Sequence, residues 1–124
     1  MNSADLSARL WQFAARVCKV VDALPDTRVG RHVAGQLVRS GTSSPPNYDE
    51  SCAAESRDDF VHKLSISLKE LKETRGWLGF IPLAGFMPES KVAPLSGECE
   101  ELVKILGKSV STAKNRGPQR QSKI

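Results

Sequence analysis

An all-α fold, an antiparallel up-down four-helix bundle with a proline-kinked second helix, is what this sequence predicts. Leu, Val and Ala dominate the apolar content and aromatics make up only 6% of the residues, a composition suited to helices packed on helices. Apolar residues recur at three- and four-residue spacing in four successive segments, and no strand-like alternation competes with them. Proline, glycine and capping residues punctuate the joints between those segments.

Leu6, Leu10, Phe13, Val17, Val20 or Val21, and Leu24 define the first helix, which Pro25 stops. Asp26 or Thr27 is positioned to cap the second, with apolar positions at Val29, Val33 and Leu37 and an end near Ala54. Pro45 and Pro46 interrupt that helix. A proline in a helix interior removes one donor and crowds the carbonyl a turn earlier, so continuation past it predicts a kink. Ser43, Ser44, Asn47 and Glu50 are the polar side chains at hand for the freed backbone groups. Ser56 caps the third helix, Asp58 and Asp59 suit its first turn, and Phe60, Leu64, Leu68, Leu71, Leu78 and Ile81 form its stripe. Gly79 is the expected stop. Val92, Leu95, Cys99, Leu102, Leu106 and Val110 mark the fourth helix. Pro94 fits there only within the first turn, and Gly117-Pro118 is the expected end. The predicted bundle, residues 1–116, is about 30 Å long, and residues 117–124 read as a disordered basic tail.

A chain of 124 residues suits one domain with a core of its own. Cys18, Cys52 and Cys99 are widely spaced and form no CxxC pair, so they read as small apolar fillers in a reduced compartment. The chain starts with no basic segment leading into an apolar run, and no apolar run approaches the ~18–20 residues of a membrane span. A cytoplasmic location is the resulting expectation.

The net charge of +4 is unevenly placed. Residues 1–113 carry fourteen basic and fourteen acidic side chains, which leaves the excess in Lys114, Arg116, Arg120 and Lys123. With Lys104 and Lys108 they make an acid-free run from Leu102 onward, and Arg28, Arg31 and Arg39 make a second between Thr27 and Tyr48. These are the candidate contacts to RNA, DNA or an acidic partner.

No residue pattern points firmly to a reaction. Asp59-x-x-His62 looks like half of a di-iron bundle site, but His32 follows Val29 where a carboxylate is needed. No metal or other cofactor is therefore expected. Glu70-x-x-Glu73 and Glu98-x-x-Glu101 each share a helix face and suggest a Mg²⁺-dependent nucleotide hydrolase as the enzymatic alternative. The plain reading pairs Glu73 with Lys69, one turn away, and Glu101 with Lys104 as surface ion pairs. Gly79 to Pro88 is unusually apolar. Phe80, Leu83, Phe86 and Met87, with Trp77 and Ile105 off the main stripes, are the candidate subunit interface, because such a patch is a liability on a monomer.

Gln36-Leu37, Arg39-Ser40, Ser43-x-Pro45-x-Asn47 and Glu50, then Ser56, Phe60, Leu64, Leu68, Glu70-Leu71 and Gly79-Phe80-Ile81, resemble the four-helix-bundle proteins of intervening sequences in bacterial large-subunit ribosomal RNA genes. The resemblance runs from about Leu10 to Leu106. Ser44, Pro46, Asp49 and Ser51 stand where that family usually has Ile, Ser, Ala and Gly. It implies a left-handed bundle assembled into a ring of five with no established enzymatic activity. A related group, the accessory proteins of diversity-generating retroelements, is similar in being pentameric and in holding a reverse transcriptase and nucleic acid. The expected function is thus a non-enzymatic homo-oligomeric scaffold or adaptor with nucleic-acid, nucleic-acid-enzyme or acidic partners.

Overall fold

The computed structural model describes residues 1–122 of the chain, with side chains through Asn115. Four helices follow in order: α1 (Ser3–Asp22), α2 (Arg28–Cys52), α3 (Arg57–Leu83) and α4 (Glu89–Ser122). Each of the first three starts on a polar cap. Asn2 accepts from the Asp5 amide at 2.8 Å while Asp5 accepts from the Asn2 amide, a reciprocal capping box. Thr27, not Asp26, caps α2 through the Gly30 amide, and Ser56 caps α3 through the Asp59 amide.

Cross-helix contacts fix the topology. Asp49 meets Ser7 and Trp11, while Gly41 faces Val17. Ser44 meets Ser67, Ser40 meets Thr74, and Glu50 meets Lys63. Cys99 meets Leu71 and Glu100 meets Arg75. In the first two sets one partner's number rises as the other's falls, and the end of α3 at Leu78 and Leu83 lines a groove with Val92 and Ser96 of α4 while its start at Arg57 and Phe60 lines one with Ile105 and Ala113, so consecutive helices are antiparallel. The core gathers Leu6, Leu10, Phe13 and Val17 with Val33, Leu37, Leu64, Leu71, Leu78 and Ile81, and with Val92, Leu95, Cys99, Leu102 and Leu106. Each fully buried Leu or Phe contributes roughly 1.5–3 kcal/mol of transfer free energy.

Four expectations need correction. Val29 is 52% exposed, because it sits in the first turn of α2 outside the core stripe. Gly79 does not stop α3. The helix continues to Leu83 with Pro82 in its last turn, and Gly85 takes the left-handed turn at φ 75°. The Gly85 amide donates to Pro82 O and the Phe86 amide to Ile81 O, the paired bonds that close a helix on a glycine. Pro94 lies in the second turn of α4, not the first. It is tolerated because it faces solvent, where water can satisfy the carbonyl it leaves open. Finally, α4 passes Gly117-Pro118 and extends to Ser122, since one proline removes a single ladder bond. Of the expected tail, the side chains of 117–122 and all of Lys123 and Ile124 lie outside the described residues.

Candidate functional site

The proline segment of α2 is built against α3 through hydroxyl groups. Ser40, Ser44, Ser67 and Thr74 are all fully buried. The Ser44 and Ser67 hydroxyls lie 2.8 Å apart, and each is also within hydrogen-bond reach of the other's carbonyl, at 3.1 and 2.9 Å, so two protons are shared among three contacts. Thr74 Oγ1 sits 2.8 Å from Ser40 Oγ. Ser44 is therefore committed across the interface and does not serve the proline-freed backbone. Ser43 Oγ donates to Arg39 O and Thr42 Oγ1 to Val38 O, while Asn47 Nδ2 donates to Ser43 O at 2.8 Å. Glu50 is no part of this arrangement; it holds Lys63 at 3.2 Å on the surface. Pro45 is buried and Pro46 half-buried, within a helix that is unbroken across both. The segment positions a helix pair and presents no reactive group. Asn47→Ala is expected to lower stability by about 1–2 kcal/mol, read as a shifted denaturant midpoint, by removing a donor from a half-buried carbonyl.

The four glutamates of the hydrolase alternative are separated and neutralised. Glu70 and Glu73 both bind Arg39 of α2, Glu70 at 3.0 Å. Glu98 binds Arg9 of α1 through two hydrogen bonds of 2.7 and 2.8 Å, and Glu101 adds a third contact at 3.3 Å. One pair faces α2 and the other faces α1. No group of three or more His, Cys, Asp or Glu side chains converges as a metal cage among the described residues. Asp59 and His62 are solvent-exposed, and His32 lies edge-on to Trp77 with ring centroids 6.0 Å apart. Burial pushes the Cys99 thiol up to about 12, and it donates to Leu71 O, so it is not an activated nucleophile.

Hydrogen bonding to Arg9 holds the Glu98 carboxyl below the ordinary glutamate range, and Arg39 does the same to Glu73. A carboxyl depressed in the folded state stabilises above its unfolded pKa and loses that contribution as pH falls through the folded value. The acid limb of the stability profile should therefore begin below about pH 4.5. Arg9→Met keeps the aliphatic stem. It should cost no more than about 1 kcal/mol at neutral pH, because these groups are partly solvated, and it should make the acid limb shallower in melts taken from pH 7 to pH 3.

The candidate anion-binding cations divide. Arg39 is occupied by Glu70 and Glu73, and Arg31 by Asp26 at 2.9 Å. Arg28, Lys104, Lys108 and Lys114 are exposed and make no ion pair among the described residues. The side chains of Arg116 and Arg120, and Lys123, lie outside the described residues. Arg28 opens α2 at the end where α3 finishes, whereas Lys104 to Lys114 lie toward the end where α3 starts. The two basic surfaces thus occupy opposite ends of the bundle.

The apolar candidates also divide. Trp77, Phe80 and Phe86 form an edge-to-face series with centroids 5.9 and 6.4 Å apart. Phe86 and Met87 are half-buried and line an open groove of about 860 Å³ with Leu83 and Val92. Leu83 is 86% exposed and Phe80 37%. Ile105 is elsewhere. It lines a groove with Arg57 and Phe60 near the start of α3, and Phe60 lies about 25 Å along the helix from Trp77 at 1.5 Å per residue. Arg57 carries no sequence signal of its own, since it reads as an ordinary first-turn residue.

No curated protein matches the chain. A solved structure does: a protein of unknown function from the S23 ribosomal protein family of Bacteroides thetaiotaomicron. It is 28% identical, covers 90% of this chain and 99% of its own, and superimposes with a TM-score of 0.81. The sequence model of the 23S rRNA-intervening sequence proteins spans residues 5–108, which takes in α1 from Asp5, all of α2 and α3, and the ion-paired part of α4. On that coverage, the chain belongs to the 23S rRNA-intervening sequence protein family.

Proposed function

We propose that the chain is a non-catalytic homo-oligomeric scaffold or adaptor that offers the basic surface of α4 to an anionic partner, nucleic acid or acidic protein. The observation that carries the reading is the apolar surface at the end of α3. Leu83 and Phe80 stand exposed beside Trp77, with Val29 of α2 exposed at the same end. Surface of this kind on a small domain favours cover by another subunit. The pairing of every candidate catalytic glutamate with arginine supports a non-catalytic role.

Light scattering at micromolar concentration is expected to give the mass of a closed oligomer, with five chains as the number the family resemblance implies. Leu83→Asp with Phe80→Ser should lower that mass while helix content is kept, since both side chains are exposed. A wild-type monomer that persists at high concentration would remove the scaffold reading. Titration with labelled RNA and duplex DNA reads the anionic partner. Phosphate-dominated binding should weaken with salt at a log–log slope of roughly −0.9 per engaged phosphate of duplex DNA. Deleting residues 114–124 should flatten that slope.

A further inference from the structure

Between the first turn of α3 and the C-terminal half of α4 lies an open groove of about 510 Å³, lined by Arg57, Phe60, Ile105, Lys108, Ser109, Thr112 and Ala113. Its floor is apolar. Phe60 and Ile105 are half-buried with one side against the core, and Ala113 is buried. Arg57 and Lys108 are both exposed and neither has an acidic partner among the described residues, unlike Arg9, Arg31, Arg39 and Arg75. Asp58 and Asp59 adjoin Arg57 in sequence but do not line the groove. Lys104, one turn before Lys108, is also exposed and adds to the positive side. Ser109 Oγ is already spent on Ile105 O at 3.1 Å, which leaves the floor without a free donor there.

We infer that this groove docks an acidic amphipathic helix of a partner protein, with aliphatic side chains on Phe60, Ile105 and Ala113 and carboxylates on Arg57 and Lys108. The inference rests on the anionic-partner reading above and names that partner's chemistry. A groove between two antiparallel helices accepts the apolar ridge of a third. Unpaired cations beside it favour an acidic flank and disfavour a basic one. Nucleic acid fits less well. Single strands are gripped by successive aromatic platforms, and this floor offers one half-buried phenyl ring with aliphatic neighbours.

The test uses the full chain and a short fluorescent helical peptide with leucines at i, i+3 and i+4 flanked by glutamates. A second peptide has lysine for every glutamate, and a third probe is a labelled single-stranded DNA. The Leu/Glu peptide should bind, and the Leu/Lys peptide should bind at least about tenfold more weakly. Arg57→Glu with Lys108→Glu changes only exposed residues. It should reverse the preference between the two peptides, which a merely unfolded variant would not do. Ile105→Ser should weaken the Leu/Glu peptide about tenfold. Absence of peptide binding, or an unchanged preference in the double variant, overturns the inference. If nucleic acid still binds through residues 114–124 in that case, the broader anionic-partner reading survives alone. Loss of DNA rather than peptide in the double variant would give the groove to nucleic acid and also overturn the inference.

Discussion

Truncation of Phe13 to alanine is expected to lower the unfolding free energy by about 3–5 kcal/mol. Phe13 is the largest fully buried side chain, at 1% exposure. It lies midway along α1, which packs mainly on α2 and only lightly on α4. Few neighbours are therefore positioned to collapse into the space it would leave. A domain of this size is held by roughly 5–15 kcal/mol, so the loss is a large part of the total. The denaturant midpoint should fall sharply with an unchanged slope. A loss below about 1 kcal/mol would mean that α1 repacks freely and that the described core is not the stabilising one.

Gly30→Ala is expected to cost about 3 kcal/mol, which is unusual for a helical glycine. A Cβ on Gly30 would stand 2.0 Å from Pro25 O and 3.0 Å from Thr27 Oγ1. Pro25 O is backbone, so the α1–α2 turn itself must shift. Thr27 Oγ1 is also the acceptor that caps α2 through the Gly30 amide, so the cap is disturbed together with the turn. Gly35 supplies the control. A Cβ there meets nothing within 4 Å, and alanine should stabilise by about 0.5–1 kcal/mol through backbone entropy and helix propensity. Thermal melts of the two variants should move in opposite directions, and movement in the same direction would refute the turn geometry.

The stripes of Leu6 to Val17, of Leu64 to Ile81 and of Val92 to Val110 were legible because a 3.6-residue period survives any context. Ser67 and Thr74 stand at Leu-type positions in the series 64, 67, 71, 74, 78, 81. That spacing was the available signal for the buried hydroxyl pairs. Hydroxyl chemistry hid it, because a serine in a polar-looking helix reads as surface. The end of α3 was misplaced because Gly79 and Gly85 are alike in composition. Only the second is at a left-handed backbone position, and glycine in the middle of a helix carries no such constraint. The partners of the glutamates were also hidden. Helical spacing pointed to Lys69 and Lys104, whereas Arg39 and Arg9 reach them across the bundle, and such pairs are set by tertiary packing alone.

The hydroxyl pairs between α2 and α3 act as a vernier. Leucine seams tolerate sliding, since one aliphatic surface resembles the next, and a one-turn slip of about 5.4 Å presents much the same face. Ser44–Ser67 does not tolerate it. Such a slip would strand both of these buried hydroxyls, each at roughly 1–3 kcal/mol, whereas Ser40 and Thr74 would lose each other but keep Leu37 O and Glu70 O of their own helices. The sequence thus sets not only which helices meet but the longitudinal phase at which they lock, and with it the height at which α3 presents Leu83 at one end and Arg57 at the other.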